Sequence, residues 1–234
     1  MRCYCTGMAS VGNFRSEVAE AALDLFTDNG YDPTSVEEIA QAAGISRSTF
    51  FRQFRAKEDV IFADHEALLD ELGSYLAASH PDPWEAVCQA AALVFGRFSE
   101  RREIAQKRYQ VVQAVPALRD RETIMVSRYE RLFSDYLRQT LPSLATLDAI
   151  RFAAAVTATH NYVLREMMLG SPRGSLQNLE NELRTVRRIF GVLSPGDASA
   201  APAGDDLVVA VFPRSTPTAE VARRIQDTLD GRSA

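Results

Sequence analysis

The sequence predicts an all-α protein. An N-terminal three-helix head carries a helix-turn-helix, a larger C-terminal helical domain follows, and a short strand-helix tail closes the chain. Three observations predict it. Apolar residues recur at spacings of three and four in one segment after another across residues 14–193, with Gly and Pro between the segments. Residues 34–57, TSVEEIAQAAGISRSTFFRQFRAK, read as two short helices joined by a tight Gly-containing turn. The short apolar run with strand character, residues 207–212, comes after a linker near the end of the chain.

Residues 1–12 show no periodicity and read as a disordered leader, with Met8 an alternative start. A first helix over 14–29 places Phe14, Val18, Ala21, Ala22, Leu25 and Phe26 on one stripe, and Asn29-Gly30 ends it. Tyr31-Asp32-Pro33 is a turn. The helix-turn-helix occupies about 35–54. Val36, Ile39, Ala40 and Ala43 face inward on its first helix, and either Thr34 with Glu37 or Ser35 with Glu38 can form a capping box. Gly44 suits the left-handed residue after that helix, and Ser46 can cap the second. The second helix, 47–54, turns Phe50 and Phe54 inward and leaves Arg47, Ser48, Thr49 and Arg52 outward. One helix is expected over 57–79, with Glu58 and Asp59 in its first turn, Ala56 a weak cap, and His65 a packed helix residue. The head thus spans 13–79.

His80-Pro81-Asp82-Pro83 breaks the chain and marks the domain boundary. The second domain, 80–193, carries helices expected over 84–98, 101–112, 118–141, 147–169 and 175–193. In the last, Leu176, Leu179, Leu183, Val186, Phe190 and Leu193 follow spacings of 3, 4, 3, 4 and 3, a heptad seam. That seam packs either within its own subunit or against a second copy. Residues 194–206 are a linker by composition, and 218–229 read as one more amphipathic helix after the strand.

The totals bound the function. A chain of 234 residues can bury sizeable cores. Its net charge of −5 argues against a protein that coats nucleic acid, which needs a broad positive field. It leaves room for a small basic patch, and from Ser46 to Lys57 the charges are Arg47, Arg52, Arg55 and Lys57 with no acid among them. Cys3, Cys5 and Cys88 form no disulfide or zinc pattern and read as thiols in a reducing cytosol, so the expected location is cytoplasmic. No apolar run reaches the length of a membrane span, and no membrane partner is expected. With three His, no nucleophile elbow, no phosphate loop and no metal cluster, the chain is expected to be no enzyme and to need no cofactor or metal.

A helix-turn-helix places its second helix in a DNA major groove, the alternative being a plain helical hairpin with a solvated basic face. For DNA, Arg47 suits a bidentate contact with a guanine edge, and Ser48 and Thr49 are short enough to approach a base or a thymine methyl. Arg52 and Lys57 suit phosphates, as do Thr34 or Ser35, and the capping Ser46 is a further candidate DNA contact.

Residues 14–76 resemble the DNA-binding domain of the TetR family of bacterial transcriptional regulators. The resemblance rests on AALDLFTDNGYDPTSVEEIAQAAGISRSTFFRQFRAKEDV, some forty residues in order. It implies a dimer on a palindromic double-stranded DNA operator, a C-terminal domain that binds a small hydrophobic effector, and repression as the default. Family members usually carry a phosphate-binding Tyr where this chain has Phe51, which would only pack on sugar or methyl groups. The family dimerises through its last two long helices, which implies an interface from Ile150, Thr157, Leu164, Leu176, Leu179, Leu183, Val186 and Phe190. The implied pocket walls are Phe95, Phe98, Arg108, Tyr109, Val112, Arg128, Tyr129, Phe133, Tyr136, His160 and Tyr162. Residues 108–133 further resemble actinobacterial TetR-like proteins of lipid and acyl-CoA metabolism. Arg102, Arg108, Arg119, Arg121 and Arg128 would then meet the phosphates of an acyl-CoA, or else pair with acids on solvated faces. A DNA-binding regulator with no effector, or one gated by a partner, is the rival reading, and a solid second domain would favour it.

Overall fold

The computed structural model describes residues 6–193, with side chains from Phe14 onward. These residues form ten helices. The head contains α1 (Thr6–Asn29), α2 (Val36–Ala42), α3 (Arg47–Gln53), α4 (Lys57–Ile61) and α5 (Ala63–Leu76). The second half contains α6 (Pro83–Glu100), α7 (Arg102–Ala114), α8 (Pro116–Thr140), α9 (Thr146–Met168) and α10 (Leu176–Ile189). The predicted linker, strand and helix of 194–234 lie outside the described residues.

Two differences from the expected elements stand out. Helix α1 starts at Thr6, so residues 6–12, expected to be a disordered leader, are helical. The single helix expected over 57–79 is broken at Phe62 (φ −106°, ψ 16°), which separates α4 from α5. There Phe62 N–H donates to the Asp59 carbonyl at 3.3 Å and His65 N–H to the Phe62 carbonyl at 3.1 Å, the tighter three-residue pattern. Phe62 is buried at this break.

The helix ends follow local chemistry. Ser35 and Glu38, not Thr34 and Glu37, make the capping box of α2. Asp82 caps α6 by accepting from Trp84 N–H at 2.9 Å and Glu85 N–H at 3.1 Å, with Pro83 at the first helical position. Gly44 sits at φ +66° between α2 and α3, a region costly for a side chain with a Cβ. Ala56 offers no side-chain cap, as expected, but Asp59 supplies one from inside α4 by accepting from the N–H groups of Arg55 and Ala56.

The buried apolar residues form one cluster through both halves. Phe26, Ile39, Phe50, Phe54 and Ile61 hold the head together, and Phe95, Leu118, Phe133, Leu137, Phe152 and Leu179 hold the second half. The break at 80–83 therefore divides the chain without separating its cores. Arg187 on α10 is buried and pairs with Asp82 at 2.6 Å and with Glu85, clamping α10 to the start of α6. Cys88 is a buried free thiol whose pKa burial pushes up to about 12, which makes it unreactive.

Phe50 is fully buried against Phe54, with ring centroids 5.0 Å apart, and it fixes α3 to the head. Phe50→Ala is expected to lower stability by about 3–5 kcal/mol, read as a shift of the urea midpoint.

Candidate DNA interface and effector cavity

Helix α3 is held by its cap. Ser46 Oγ accepts from Thr49 N–H at 3.1 Å and lies 2.9 Å from the hydroxyls of Ser48 and Thr49. Arg47, Ser48, Phe51 and Arg52 are exposed beside it. The Arg47 guanidinium pairs with Glu37 at 2.8 Å and lies 5.4 Å from the centre of the Phe51 ring, while its side chain stays 66 % exposed. An exposed pair of this kind contributes little and breaks readily for a stronger acceptor. Phe51 is 45 % exposed, a large apolar ring left in solvent on a basic face.

Two expected phosphate ligands are placed differently. Thr34 is buried, and its hydroxyl donates to the Gly30 carbonyl at 2.8 Å, so it stabilises the turn and does not face solvent. Lys57 is half-buried and donates to the carbonyls of Tyr31 at 2.7 Å and Thr34 at 3.0 Å, over the Tyr31 ring. Two of its three donors are thus spent inside the head. Ser35 is half-buried and engaged with Glu38.

In the second half a cavity of about 530 Å³ is lined from α5 to α9. The volume lies within the roughly 300–1,000 Å³ of small-molecule sites. Of the expected wall residues, Phe98, Arg108, Tyr109, Val112, Tyr129, Phe133 and His160 line it. Phe95 does not; it lies behind the wall, its ring edge-on to His160 with centroids 6.3 Å apart. Arg128, Tyr136 and Tyr162 do not line it either; Arg128 pairs with Glu66 on the outside and Tyr162 is exposed. Sequence reasoning missed Phe62, Met125, Glu122 and Asn161, and it read His65 as a packed or half-exposed helix residue and not as a cavity group. His65 Nδ1 lies 3.0 Å from the Tyr129 hydroxyl and faces the cavity.

The arginines expected to meet an acyl-CoA are mostly committed elsewhere. Arg102 donates to the Met167 carbonyl at 3.1 Å, Arg119 to the Gln113 carbonyl, and Arg121 pairs with Asp59. Arg108 alone of the five lines the cavity; it is 7 % exposed and pairs with Asp64 at 2.7 Å. Three of these pairs join the second half to the stretch that carries the head: Arg108 with Asp64, Arg121 with Asp59, and Arg128 with Glu66.

The heptad seam packs inward. Leu179, Leu183 and Val186 are buried within their own subunit, and Phe190 is half-buried against Phe152. Thr157 is buried and, with Leu164, lines the cavity. Ile150 and Leu176 are exposed as an interface requires. With them Leu147, Tyr162, Leu169 and Ile189 leave large apolar groups in solvent, and those of α9 fall on one side of it by helical spacing.

Residues 18–63 match a family model described as bacterial regulatory proteins, tetR family. A protein of Mycobacterium tuberculosis named as a mycofactocin biosynthesis transcriptional regulator is 28% identical over 139 residues, 54% of this chain and 67% of that one. The HTH-type transcriptional regulator TcmR of Streptomyces glaucescens is 38% identical over 88 residues, which span 36% of this chain and 38% of that protein. Among solved structures, a TetR-family regulator from Syntrophomonas wolfei superposes with a TM-score of 0.60 at 16% identity, covering 78% of this chain and 97% of that one. That likeness is one of fold.

Burial lowers the pKa of His65 to about 3, with help from the Arg108 charge, and that of His160 to about 4. Both rings are neutral in the fold. An unfolded ring titrates near 6.5, so below that pH the unfolded chain binds more protons and stability falls as pH drops towards 4. The double variant His65→Gln/His160→Gln is expected to flatten the fall of melting temperature across that window.

Proposed function

We propose that the chain is a TetR-family transcriptional regulator, not an enzyme, and acts as a dimeric cytoplasmic repressor, a reading supported by the match of residues 18–63. It binds a palindromic operator and leaves it when a small hydrophobic effector fills the cavity between α5 and α9. The observation that carries the DNA reading is the α3 face, where Arg47, Ser48, Thr49 and Arg52 surround Phe51 on a helix whose other side is locked by Phe50 and Phe54. Arg47 leaves Glu37 to read a guanine edge, Ser48 and Thr49 approach bases, and Ser46, Ser35, Arg52 and the remaining donor of Lys57 meet phosphates. Phe51 packs on sugar or a thymine methyl.

The dimer forms through the exposed apolar groups of α9 and α10, with Ile150 and Leu176 from the expected set joined by Leu147, Tyr162 and Ile189. Two copies present their α3 helices to half-sites about 35 Å apart. The cavity supports effector control over the effector-free reading, because a solid second domain would have nothing to fill. Its walls include Phe62 at the α4–α5 break and His65 on α5, so a ligand pushes directly on the helix that carries the head. Arg108–Asp64 and Arg121–Asp59 pass that push to α5 and α4. A compact apolar molecule fits this cavity better than an acyl-CoA, whose phosphates would find Arg108 there but not Arg119, Arg121 or Arg128.

Genome-wide binding followed by footprinting is expected to give a two-fold symmetric site with half-sites one helical turn apart; protection of a single half-site would contradict the dimer. On that operator, Arg47→Ala is expected to weaken specific binding by about 1–3 kcal/mol and relax preference at one base position. A loss equal across all sequences would rule out its base-reading role.

A further inference from the structure

Three residues that line the cavity each carry a buried polar atom that no protein group satisfies. Arg108 Nε, Thr157 Oγ1 and His160 Nε2 have no hydrogen-bond partner, and all three residues line it. The residues are 7%, 4% and 7% exposed. Native folds leave few such atoms unpaired, because each costs the desolvation of a polar group. Three in one cavity mark where a ligand's polar groups go.

The chemistry of each atom is set by its other contacts. His160 Nδ1 donates to the Asn161 side-chain oxygen at 3.1 Å, and burial keeps the ring neutral. Its Nε2 is then a bare acceptor and asks for a donor. Arg108 Nε–H is a donor and asks for an oxygen. The Thr157 hydroxyl can serve either. The charge of Arg108 is already countered by Asp64 at 2.7 Å, and the other charged wall residues are Arg165 against Glu122 and Glu130, so the wall carries no net positive charge for a carboxylate or phosphate. The remaining walls are rich in rings, with Phe62, Phe98, Tyr109, Tyr129 and Phe133 among them.

We propose that the cavity takes a compact, uncharged aromatic molecule that bears both a hydroxyl and a carbonyl oxygen, the hydroxyl donating to His160 and the carbonyl accepting from Arg108. The assignment rests on the reading of this cavity as the effector site. It explains why the polar atoms are buried among rings while the cavity's other polar residues, such as Gln113, Thr123 and Ser127, are exposed.

Calorimetric titration of the full-length protein tests it with four probes: a dihydroxyanthraquinone, its dimethoxy ether, an anthraquinone carboxylate and palmitoyl-CoA. The dihydroxy compound is expected to bind about tenfold tighter than the ether, as for one buried hydrogen bond lost. The carboxylate and palmitoyl-CoA are expected to bind more weakly than the dihydroxy compound. Thr157→Val and His160→Phe are expected to narrow the gap between hydroxyl and ether. If either variant loses its fold, the comparison of the two ligands on the unaltered protein still decides. Equal affinity for the ether, tighter binding of the carboxylate or of palmitoyl-CoA, or no binding of the dihydroxy compound would overturn the assignment. Binding of the dihydroxy compound with no release of operator DNA would leave the assignment standing and overturn the effector reading instead.

Discussion

Arg108 and Asp64 form the contact on which the working parts of this molecule depend. The guanidinium is almost wholly removed from water, lies 5.7 Å from the centre of the Phe98 ring, and meets Asp64 at the start of α5. A charge so buried is tolerable only with its partner in place, and removing that partner leaves an uncompensated cation. The same side chain forms part of the cavity wall. One residue of the second half therefore holds α5 by its charge and lines the cavity, while its Nε–H has no partner in the fold. The pairs of Arg121 with Asp59 and Arg128 with Glu66 lie at the surface and add less, but the first reaches the carboxylate that caps α4.

The head is tightened from the other side by Lys57. Its ammonium joins the carbonyls of Tyr31 and Thr34, and the Tyr31 hydroxyl donates to Glu58 at 2.7 Å. Burial, reinforced by Glu58, raises the Tyr31 pKa, so the phenol stays protonated and keeps donating. The turn before α2 is thereby tied to α4. Helix α3 shares with α4 the buried core that contains Phe50, Phe54 and Ile61.

Much of this was legible in the sequence, because helices and caps are local. The spacing of Val36, Ile39, Ala40 and Ala43, the glycine at 44 and the serine at 46 describe the helix-turn-helix before any tertiary contact is known. The break at Phe62 was not legible, since nothing near it is a Pro or Gly. Heptad spacing in α10 shows that one face is apolar and says nothing of what covers it; Leu179, Leu183 and Val186 turned out to face their own subunit. Arginine positions carry charge without direction, so Arg108, Arg121 and Arg128 read alike although one lines the cavity and the other two pair outside it. Thr34 looked like a phosphate ligand from its place before α2, yet the turn uses its hydroxyl.

The most direct test of coupling between cavity and head is a double-mutant cycle on operator affinity with Arg108→Met, Asp64→Asn and the two combined. If the pair carries the coupling, each single change weakens operator binding and the double variant departs from additivity by about 0.5–3 kcal/mol. Additive losses, or single variants that bind the operator as the unaltered protein does, would show that the cavity and the DNA-binding face are not joined through this contact.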